Sequence, residues 1–164
     1  MLKWVILNRH NCLLKRKALA RTSATPGKTA SINFYRLDEM RLVDLPGYGY
    51  AKVSNAERAR WDRLISGYFE ADRDLRLVVQ LVDFRHPPSK EDRQMINFFV
   101  EAGIPFVVVL TKADKLNKTE RAAREAAMRE ELADLEGVLT VPFSAVTGEG
   151  ADQLRDLLEE VTSE

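Results

Sequence analysis

The 164-residue sequence is poor in cysteine, in long apolar runs and in net charge, and each shortage excludes a class of protein. Cys12 is the single cysteine, so a disulfide framework and a thiolate metal cluster are excluded, which suits a reducing compartment. No apolar run approaches the roughly 20 residues of a membrane span. Basic residues (25) equal acidic residues (25), so net charge does not indicate a nucleic-acid or membrane partner. Length and composition predict one cytoplasmic globular domain over 1–164, with no membrane partner.

Acidic residues are missing from the whole segment before Asp38, although the chain as a whole is neutral. A basic first quarter indicates a phosphate or RNA contact, a solvated helix face, or an organelle transit segment. Scarce serine before Ser23 disfavours the transit segment. The basic residues of this segment are Lys3, Arg9, Lys15, Arg16, Lys17, Arg21, Lys28 and Arg36.

Apolar runs and helical patterns alternate from residue 31 to the end of the chain. Strands are predicted at 32–37, 41–43, 75–82, 106–110 and 138–143, and helices after Ser54, from Ser89 to Gly103, from Asn117 to Gly137, and around 154–161. This alternation predicts a mostly parallel, doubly wound α/β sheet. Ligands of such sheets bind beyond the carboxyl ends of the strands, so the loops at those ends are the candidate sites.

One such loop, Thr111-Lys112-Ala113-Asp114, follows a buried strand. The Asp114 carboxylate is suited to accept hydrogen bonds from N1–H and the N2 amino group of guanine, while the stem of Lys112 packs over the ring. Adenine lacks that donor pair, so a site of this kind can reject it by a factor on the order of 10⁴. The competing interpretation is a simple turn at a helix N-terminus.

Two further loops follow strand ends. Asp44-Leu45-Pro46-Gly47 places a carboxylate suited to Mg²⁺ through water, and a glycine whose amide is open to a γ-phosphate. Phe143-Ser144-Ala145 offers a backbone N–H for the guanine O6. Each pattern alone is common in structural turns, and only their order and shared position at strand ends make the set specific.

Together the three loops resemble the G3, G4 and G5 elements of Ras-like GTPases. The strings Leu19–Ser23, Thr25–Thr29, Val43–Tyr50 and Asp83–Pro87 further resemble EngB-type ribosome-biogenesis GTP-binding proteins, over about residues 11–164. The resemblance implies a Ras-like P-loop GTPase fold with one antiparallel edge strand. It also implies GTP or GDP and Mg²⁺ as ligands, a large ribosomal subunit precursor and rRNA as partners, a monomer, and a role in cell division and septation.

The resemblance assigns site residues by position. Thr29 is the switch I threonine that ligates Mg²⁺, and Asp44 reaches Mg²⁺ through water in switch II. Tyr48 stands where Ras-like enzymes orient water with glutamine, which implies slow hydrolysis. The implied GTP-binding set is Gly27, Lys28, Thr29, Ala30, Ser31, Asp44, Leu45, Pro46, Gly47, Thr111, Lys112, Ala113, Asp114, Phe143, Ser144 and Ala145.

The phosphate cradle G-x-x-x-x-G-K-[ST] is absent from the sequence. The family's spacing places its last three residues near Val5, Ile6 and Leu7, which supply neither an ammonium group nor a hydroxyl. Losing four charge-assisted hydrogen bonds removes roughly 6–12 kcal/mol, whereas micromolar binding amounts to about 8 kcal/mol in total. The sequence therefore predicts very weak GTP binding or none.

Lys3–Leu7 is apolar enough to replace the first, central strand of the sheet, and an empty slot there would be costly. The same residues can instead extend a helix beginning at Cys12 backwards. The missing cradle itself is expected to reflect a late start codon, a frameshift or a deletion. The alternative origin is a divergent paralogue that lost nucleotide binding. The alternative function of the chain is a nucleotide-independent RNA- or ribosome-binding module that uses the basic segment 15–28.

Overall fold

The fold is that of a six-stranded sheet with helices on both faces, seen in a computed structural model. The structure describes residues 3–7, 32–37, 40–45, 55–71, 73–135 and 137–163. The described strands are β1 (Lys3–Leu7), β2 (Asn33–Leu37), β3 (Met40–Asp44), β4 (Leu75–Asp83), β5 (Phe106–Thr111) and β6 (Thr140–Pro142). The described helices are α1 (Asn55–Glu70), α2 (Lys90–Glu101), α3 (Lys118–Glu131) and α4 (Ala151–Ser163), with a 3₁₀ turn at Ala113–Lys115.

The strand order is β2-β3-β1-β4-β5-β6, and every neighbouring pair is parallel except the edge pair β2–β3. This is the predicted doubly wound α/β sheet with one antiparallel edge strand. Right-handed crossovers between parallel strands place helices on alternate faces of such a sheet. The carboxyl ends of five parallel strands therefore share one edge.

Strand β1 occupies the central slot of the sheet. Ile6 is in register with Val43 of β3 on one side and with Val78 of β4 on the other. The prediction of a substitute strand at Lys3–Leu7 is confirmed, and the alternative of a backward helical extension is wrong. The strand is favoured over the helix because an empty slot would leave backbone N–H and C=O groups of two buried strands without partners.

The core has two sides because successive strand residues point to opposite faces. Leu77 and Val79 of β4 face α4, where they join Leu154 and Leu158. On the opposite face, α1 and α2 cover one half of the sheet, and α2 and α3 cover the other. The buried residues of that face are Val43, Leu45, Ile65, Tyr68, Val78 and Phe99 in one cluster, and Val82, Phe84, Ile96, Val108, Leu110, Ala113, Met128 and Leu132 in the next.

Most predicted helix boundaries are confirmed by their caps. Ser89 Oγ accepts a hydrogen bond from the Asp92 N–H at 3.1 Å, and the Asp92 carboxylate accepts from the Ser89 N–H at 2.9 Å. Asn117 and Glu120 form the same reciprocal box before α3. Gly103 follows α2 with a φ of 63°, as expected of a glycine that ends a helix. Ser54 lies outside the described residues.

Two predicted segments are too long. Helix α3 ends at Glu131 rather than near Gly137, because the chain turns there and buries Leu132, with Leu135 and Val138 packed beside it. Strand β6 spans Thr140–Pro142 rather than 138–143, since its pairing with β5 runs only from Val108↔Thr140 to Leu110↔Pro142.

Candidate nucleotide site

Three loops meet where β4, β5 and β6 end, namely residues 83–86, 111–115 and 143–150. The Phe84 N–H donates to the Thr111 carbonyl at 3.0 Å, and the Ala113 N–H donates to the Phe143 carbonyl at 3.1 Å. The Thr111 hydroxyl donates to the Val82 carbonyl at 3.1 Å. These hydrogen bonds extend the pairing of β4, β5 and β6 into the loops. The loops are therefore anchored to the sheet as well as to one another.

Asp114 is fixed in place by Ser144. The Ser144 hydroxyl, which is fully buried, donates to the Asp114 carboxylate at 2.7 Å, and the Lys115 ammonium lies 3.2 Å from the other carboxylate oxygen. The hydrogen bond from Ser144, assisted by Lys115, holds the pKa of Asp114 below its usual range. Asp114 is thus a preformed anionic acceptor at the carboxyl edge of the sheet, which is the property that the guanine prediction requires.

The loop from Ser144 to Gly150 is built around the same hydroxyl. Ser144 Oγ accepts from the Val146 N–H at 3.2 Å and from the Thr147 N–H at 3.1 Å. The Ser144 N–H donates to the Glu149 carbonyl at 3.1 Å, so it is engaged within the loop. The contact of a backbone amide of Phe143-Ser144-Ala145 with guanine O6 stays a prediction, and Ala145 is the exposed residue of the three.

Gly150 closes this loop against the end of β6, directly before α4 begins. Its φ is 76°, and a Cβ added there would lie 2.1 Å from the Pro142 carbonyl oxygen. No side chain fits that approach, so the end of β6 and the start of α4 depend on glycine at this position.

Lys112 takes an unusual backbone conformation and has an acidic partner. Its φ of 63° and ψ of 32° place it in the left-handed region, which a lysine rarely adopts. Its ammonium group lies 2.7 Å from Asp83, the last residue of β4. Left-handed backbone at a non-glycine residue is typical of functional loops.

Asp83 also binds Arg85, the second residue after β4. The Arg85 guanidinium donates to both Asp83 oxygens, at 2.9 and 2.7 Å. The hydrogen bonds from Arg85 and then from Lys112 hold the pKa of Asp83 well below its usual range. In this structure, therefore, Arg85 pairs with Asp83.

On the side of the site that is predicted to bind phosphate, the structure describes the ends of β1 and β3. Asp44 ends β3 and is half-buried. Burial of Tyr35, and then the negative charge of Asp44, raise the pKa of Tyr35. Leu45 is buried in the core beneath it. The predicted residues Gly27, Lys28, Thr29, Ala30 and Ser31, together with Pro46, Gly47 and Tyr48, lie outside the described residues.

The chain is similar in sequence to known GTP-binding proteins. A family described as 50S ribosome-binding GTPases matches residues 10–112. The probable GTP-binding protein EngB of Streptococcus mutans is 47% identical over 151 residues, which cover 92% of this chain and 77% of the relative. The chain belongs to the EngB family of GTP-binding proteins. EngB of Desulfitobacterium hafniense is 44% identical over 154 residues, covering 93% of this chain and 77% of its own length.

Solved structures of the EngB type and of other GTPases have the same fold. The crystal structure of a probable EngB matches with a TM-score of 0.73 at 19% identity, over 97% of both chains. Era in complex with MgGDPNP and nucleotides 1506–1542 of 16S ribosomal RNA matches with a TM-score of 0.70 at 18% identity, over 97% of this chain and 56% of Era. The predicted Ras-like fold is confirmed. Among the described helices, none is long and apolar enough to cross a bilayer.

The residues of this EngB-family chain fit a guanine base better than a metal–triphosphate group. Within the described residues, no three His, Cys, Asp or Glu side chains are grouped as a metal site. Asp44 is an oxygen ligand suited to Mg²⁺. Val5, Ile6 and Leu7, however, bring no hydroxyl or ammonium group to the end of β1, so the described residues do not build the phosphate and magnesium half of the site.

Two contributors to the site were missed in the sequence. Asp83 anchors Lys112, and its position directly after a buried strand was the available signal. Arg124 of α3 holds the segment after β4 by donating to the Phe84 carbonyl at 3.1 Å and the His86 carbonyl at 2.9 Å. Nothing in the helical pattern around Arg124 distinguishes it from the exposed arginines of the same helix.

Proposed function

We propose that this EngB-family chain recognises guanine through Asp114, with Lys112 packing over the base and the amide of Ala145 directed to O6. The observation that supports this most directly is the 2.7 Å hydrogen bond from the buried Ser144 hydroxyl to the Asp114 carboxylate. That bond, with the Lys115 ion pair, keeps the carboxylate ionised and oriented before any ligand arrives. An acceptor fixed in this way loses little conformational entropy on binding, and it discriminates against adenine because adenine offers no matching donors.

The phosphate half of the proposal concerns the switch segments. Gly27, Lys28, Thr29, Ala30 and Ser31 are proposed as switch I, with Thr29 as a Mg²⁺ ligand. Asp44, Leu45, Pro46 and Gly47 are proposed as switch II, with Asp44 reaching Mg²⁺ through water. Bound Mg²⁺ would neutralise phosphate charge. Because the cradle string is missing, we expect the 164-residue polypeptide to bind GTP very weakly or not at all.

The cellular role is proposed from the relatives. The matched family is described as 50S ribosome-binding GTPases, and Era, which shares the fold, has been crystallised with a 16S rRNA segment. We propose that the chain forms one domain over 1–164, works as a cytoplasmic monomer, and assists assembly of the large ribosomal subunit from its precursor and rRNA. Its effect on cell division and septation would follow from that assembly.

A second candidate is favoured by the missing cradle. A chain that holds no triphosphate can still serve as a nucleotide-independent RNA- or ribosome-binding module, through the basic segment 15–28. RNA binding with a steep salt dependence and no response to GTP would support this candidate.

The test of guanine recognition is a titration followed by amide NMR. We expect GDP to shift the amides of Thr111–Asp114 and Ala145, whereas ADP at the same concentration leaves them unchanged. Asp114→Asn should abolish the GDP response. Asp152→Asn is the matched control, because Asp152 is an exposed carboxylate on α4 with an arginine partner. Equal responses to GDP and ADP would refute guanine recognition, and a submillimolar GTP affinity by calorimetry would refute the expected weak binding.

A further inference from the structure

The Lys112 side chain is held at both of its ends, although it is 52% exposed. At the near end, the left-handed backbone fixes the direction in which the side chain leaves the loop. At the far end, the ammonium group lies 2.7 Å from the Asp83 carboxylate. Asp83 ends β4 and is in register with Thr111, the last residue of β5. The stem of Lys112 therefore runs from the end of β5 towards the end of β4.

Asp83 is itself fixed by the segment that follows it. Its carboxylate accepts two hydrogen bonds from the Arg85 guanidinium, and a third at 3.1 Å from the Arg85 backbone N–H. The Asp83 carbonyl accepts from the His86 N–H at 3.2 Å. A carboxylate with this many donors is held in one orientation, so Asp83 is a rigid partner for a long and otherwise mobile side chain.

The two side chains proposed to contact guanine are thus anchored on opposite neighbours of β5. Ser144, which follows β6, donates to Asp114. Asp83, at the end of β4, accepts from Lys112. Since β5 lies between β4 and β6, the hydrogen-bond acceptor is fixed from one side of the loop and the apolar stem from the other.

We infer that Asp83 is a positioning residue for guanine recognition, which holds the Lys112 stem where a purine ring packs against it. This inference rests on the proposed guanine site and adds to it a residue that acts through Lys112. A lysine side chain loses rotamer freedom when a ligand packs on it, and a stem that is already held loses less. An exposed ion pair contributes little to the stability of a fold, so the contact is expected to affect binding more than folding.

The test is a titration of the full chain with guanosine, followed by amide NMR. Guanosine carries no phosphate, so the loss of a charge at Asp83 or Lys112 does not change its affinity through attraction to an anion. Asp83→Asn should weaken guanosine binding about three- to tenfold, since the stem must be ordered on binding. Lys112→Met keeps an apolar stem without the ammonium group and should lose the same factor. The double variant should lose no more, because each change removes the same contact.

Conservative and matched variants serve as controls. Asp83→Glu keeps a carboxylate and should recover most of the affinity. Arg85→Ala should weaken binding less than Asp83→Asn, because it leaves the Lys112 contact and the backbone donor to Asp83 in place. Asp134→Asn removes an exposed carboxylate that pairs with Arg93, outside the nucleotide loops, and should leave the affinity unchanged.

A second readout follows Lys112 in the ligand-free chain. Carbon relaxation of its ε-methylene group should show restricted motion in the wild type, and motion like that of the exposed Lys118 in Asp83→Asn. A wild-type Lys112 as mobile as Lys118 would overturn the inference.

The outcomes separate this inference from guanine recognition itself. A wild type that does not distinguish guanosine from adenosine would refute guanine recognition. A wild type that does distinguish them, with equal guanosine affinity in Asp83→Asn and Lys112→Met, would overturn the role of Asp83 alone. A double variant that loses the product of the two single factors would also overturn it. Thermal unfolding identifies any loss of fold, and Lys112→Met decides the outcome if Asp83→Asn unfolds.

Discussion

The candidate site has two parts: the loops proposed to bind guanine, here called the base side, and the strand ends expected to face the phosphates, here called the phosphate side. The base side has its side chains in place, whereas the phosphate side lacks the groups that phosphate binding needs. On the base side, Asp114 has a buried hydroxyl donor, a left-handed lysine nearby and a loop closed by a glycine that no other residue can replace. On the phosphate side, the central strand ends in Val5-Ile6-Leu7, which pairs well with its neighbours but carries no group for a phosphate.

This comparison distinguishes two requirements on the same sheet, namely the pairing of its central strand and the binding of phosphate. A central strand needs backbone pairing and apolar side chains, and many sequences satisfy that. A phosphate cradle needs particular glycines, a lysine and a hydroxyl at fixed spacing, and few sequences do. This chain therefore has the fold of its relatives without the string G-x-x-x-x-G-K-[ST].

We expect the largest effect, on GTP affinity, from introducing the missing phosphate cradle. Replacing Asn8, Arg9 and His10 by a G-x-x-x-x-G-K-S segment, directly after β1, should raise GTP affinity by about a thousandfold or more, because several charge-assisted hydrogen bonds are added. Calorimetry with GTP measures the change. The matched control carries alanine in place of the inserted lysine and should recover only part of the gain. An unchanged GTP affinity would mean that the inserted phosphate cradle and the base side do not bind one nucleotide together in this chain.

The next effect concerns the scaffold of the base side. Gly150→Ala should lower the free energy of unfolding by about 3 kcal/mol or more, since the new Cβ meets the Pro142 carbonyl and the backbone is left-handed. Gly148→Ala is the control, because its φ of 83° is similar but nothing lies within 4 Å of the added Cβ. That change should cost only about 1–2 kcal/mol. Urea unfolding measures both, and equal losses would contradict the importance of the close approach.

The sequence predicted the alternation of strands and helices, the carboxyl-edge location of the loops and the replacement of the first strand, because each follows from hydrophobic pattern and backbone pairing. It also predicted the residue types of the base side. It did not predict that the Ser144 hydroxyl holds Asp114, or that Asp83 and Arg124 support the loops, since these contacts join residues 29 to 40 positions apart. The early end of α3 was missed because burial of Leu132 overrode a good helical pattern.

The smallest expected effect is a change in pH dependence. Ser144→Ala removes the acceptor of two loop amides and should destabilise the fold by about 1 kcal/mol near neutral pH. It should also raise the pKa of Asp114 towards its ordinary value, because its main hydrogen-bond donor is lost. In the wild type, the contribution of Asp114 is present above its unfolded-state pKa and is lost as the pH falls through its lower folded-state pKa.

The difference in stability between wild type and Ser144→Ala should therefore shrink as the pH falls from about 6 to about 3. Urea unfolding across this range measures it. Thr147→Val is the control, because the Thr147 hydroxyl accepts from the Glu149 N–H at 3.3 Å within the same loop. A difference that stays constant with pH would show that Ser144 does not govern Asp114.

The Arg124 clamp ties a helix to the strand ends. Its guanidinium, only 15% exposed, donates to two carbonyls of the segment after β4 and to both oxygens of Glu131. Pulling α3 away would break the hydrogen bonds to the Phe84 and His86 carbonyls, whereas the ion pair with Glu131, which lies on the same helix, would remain. Arg124 therefore opposes separation of α3 from the end of β4.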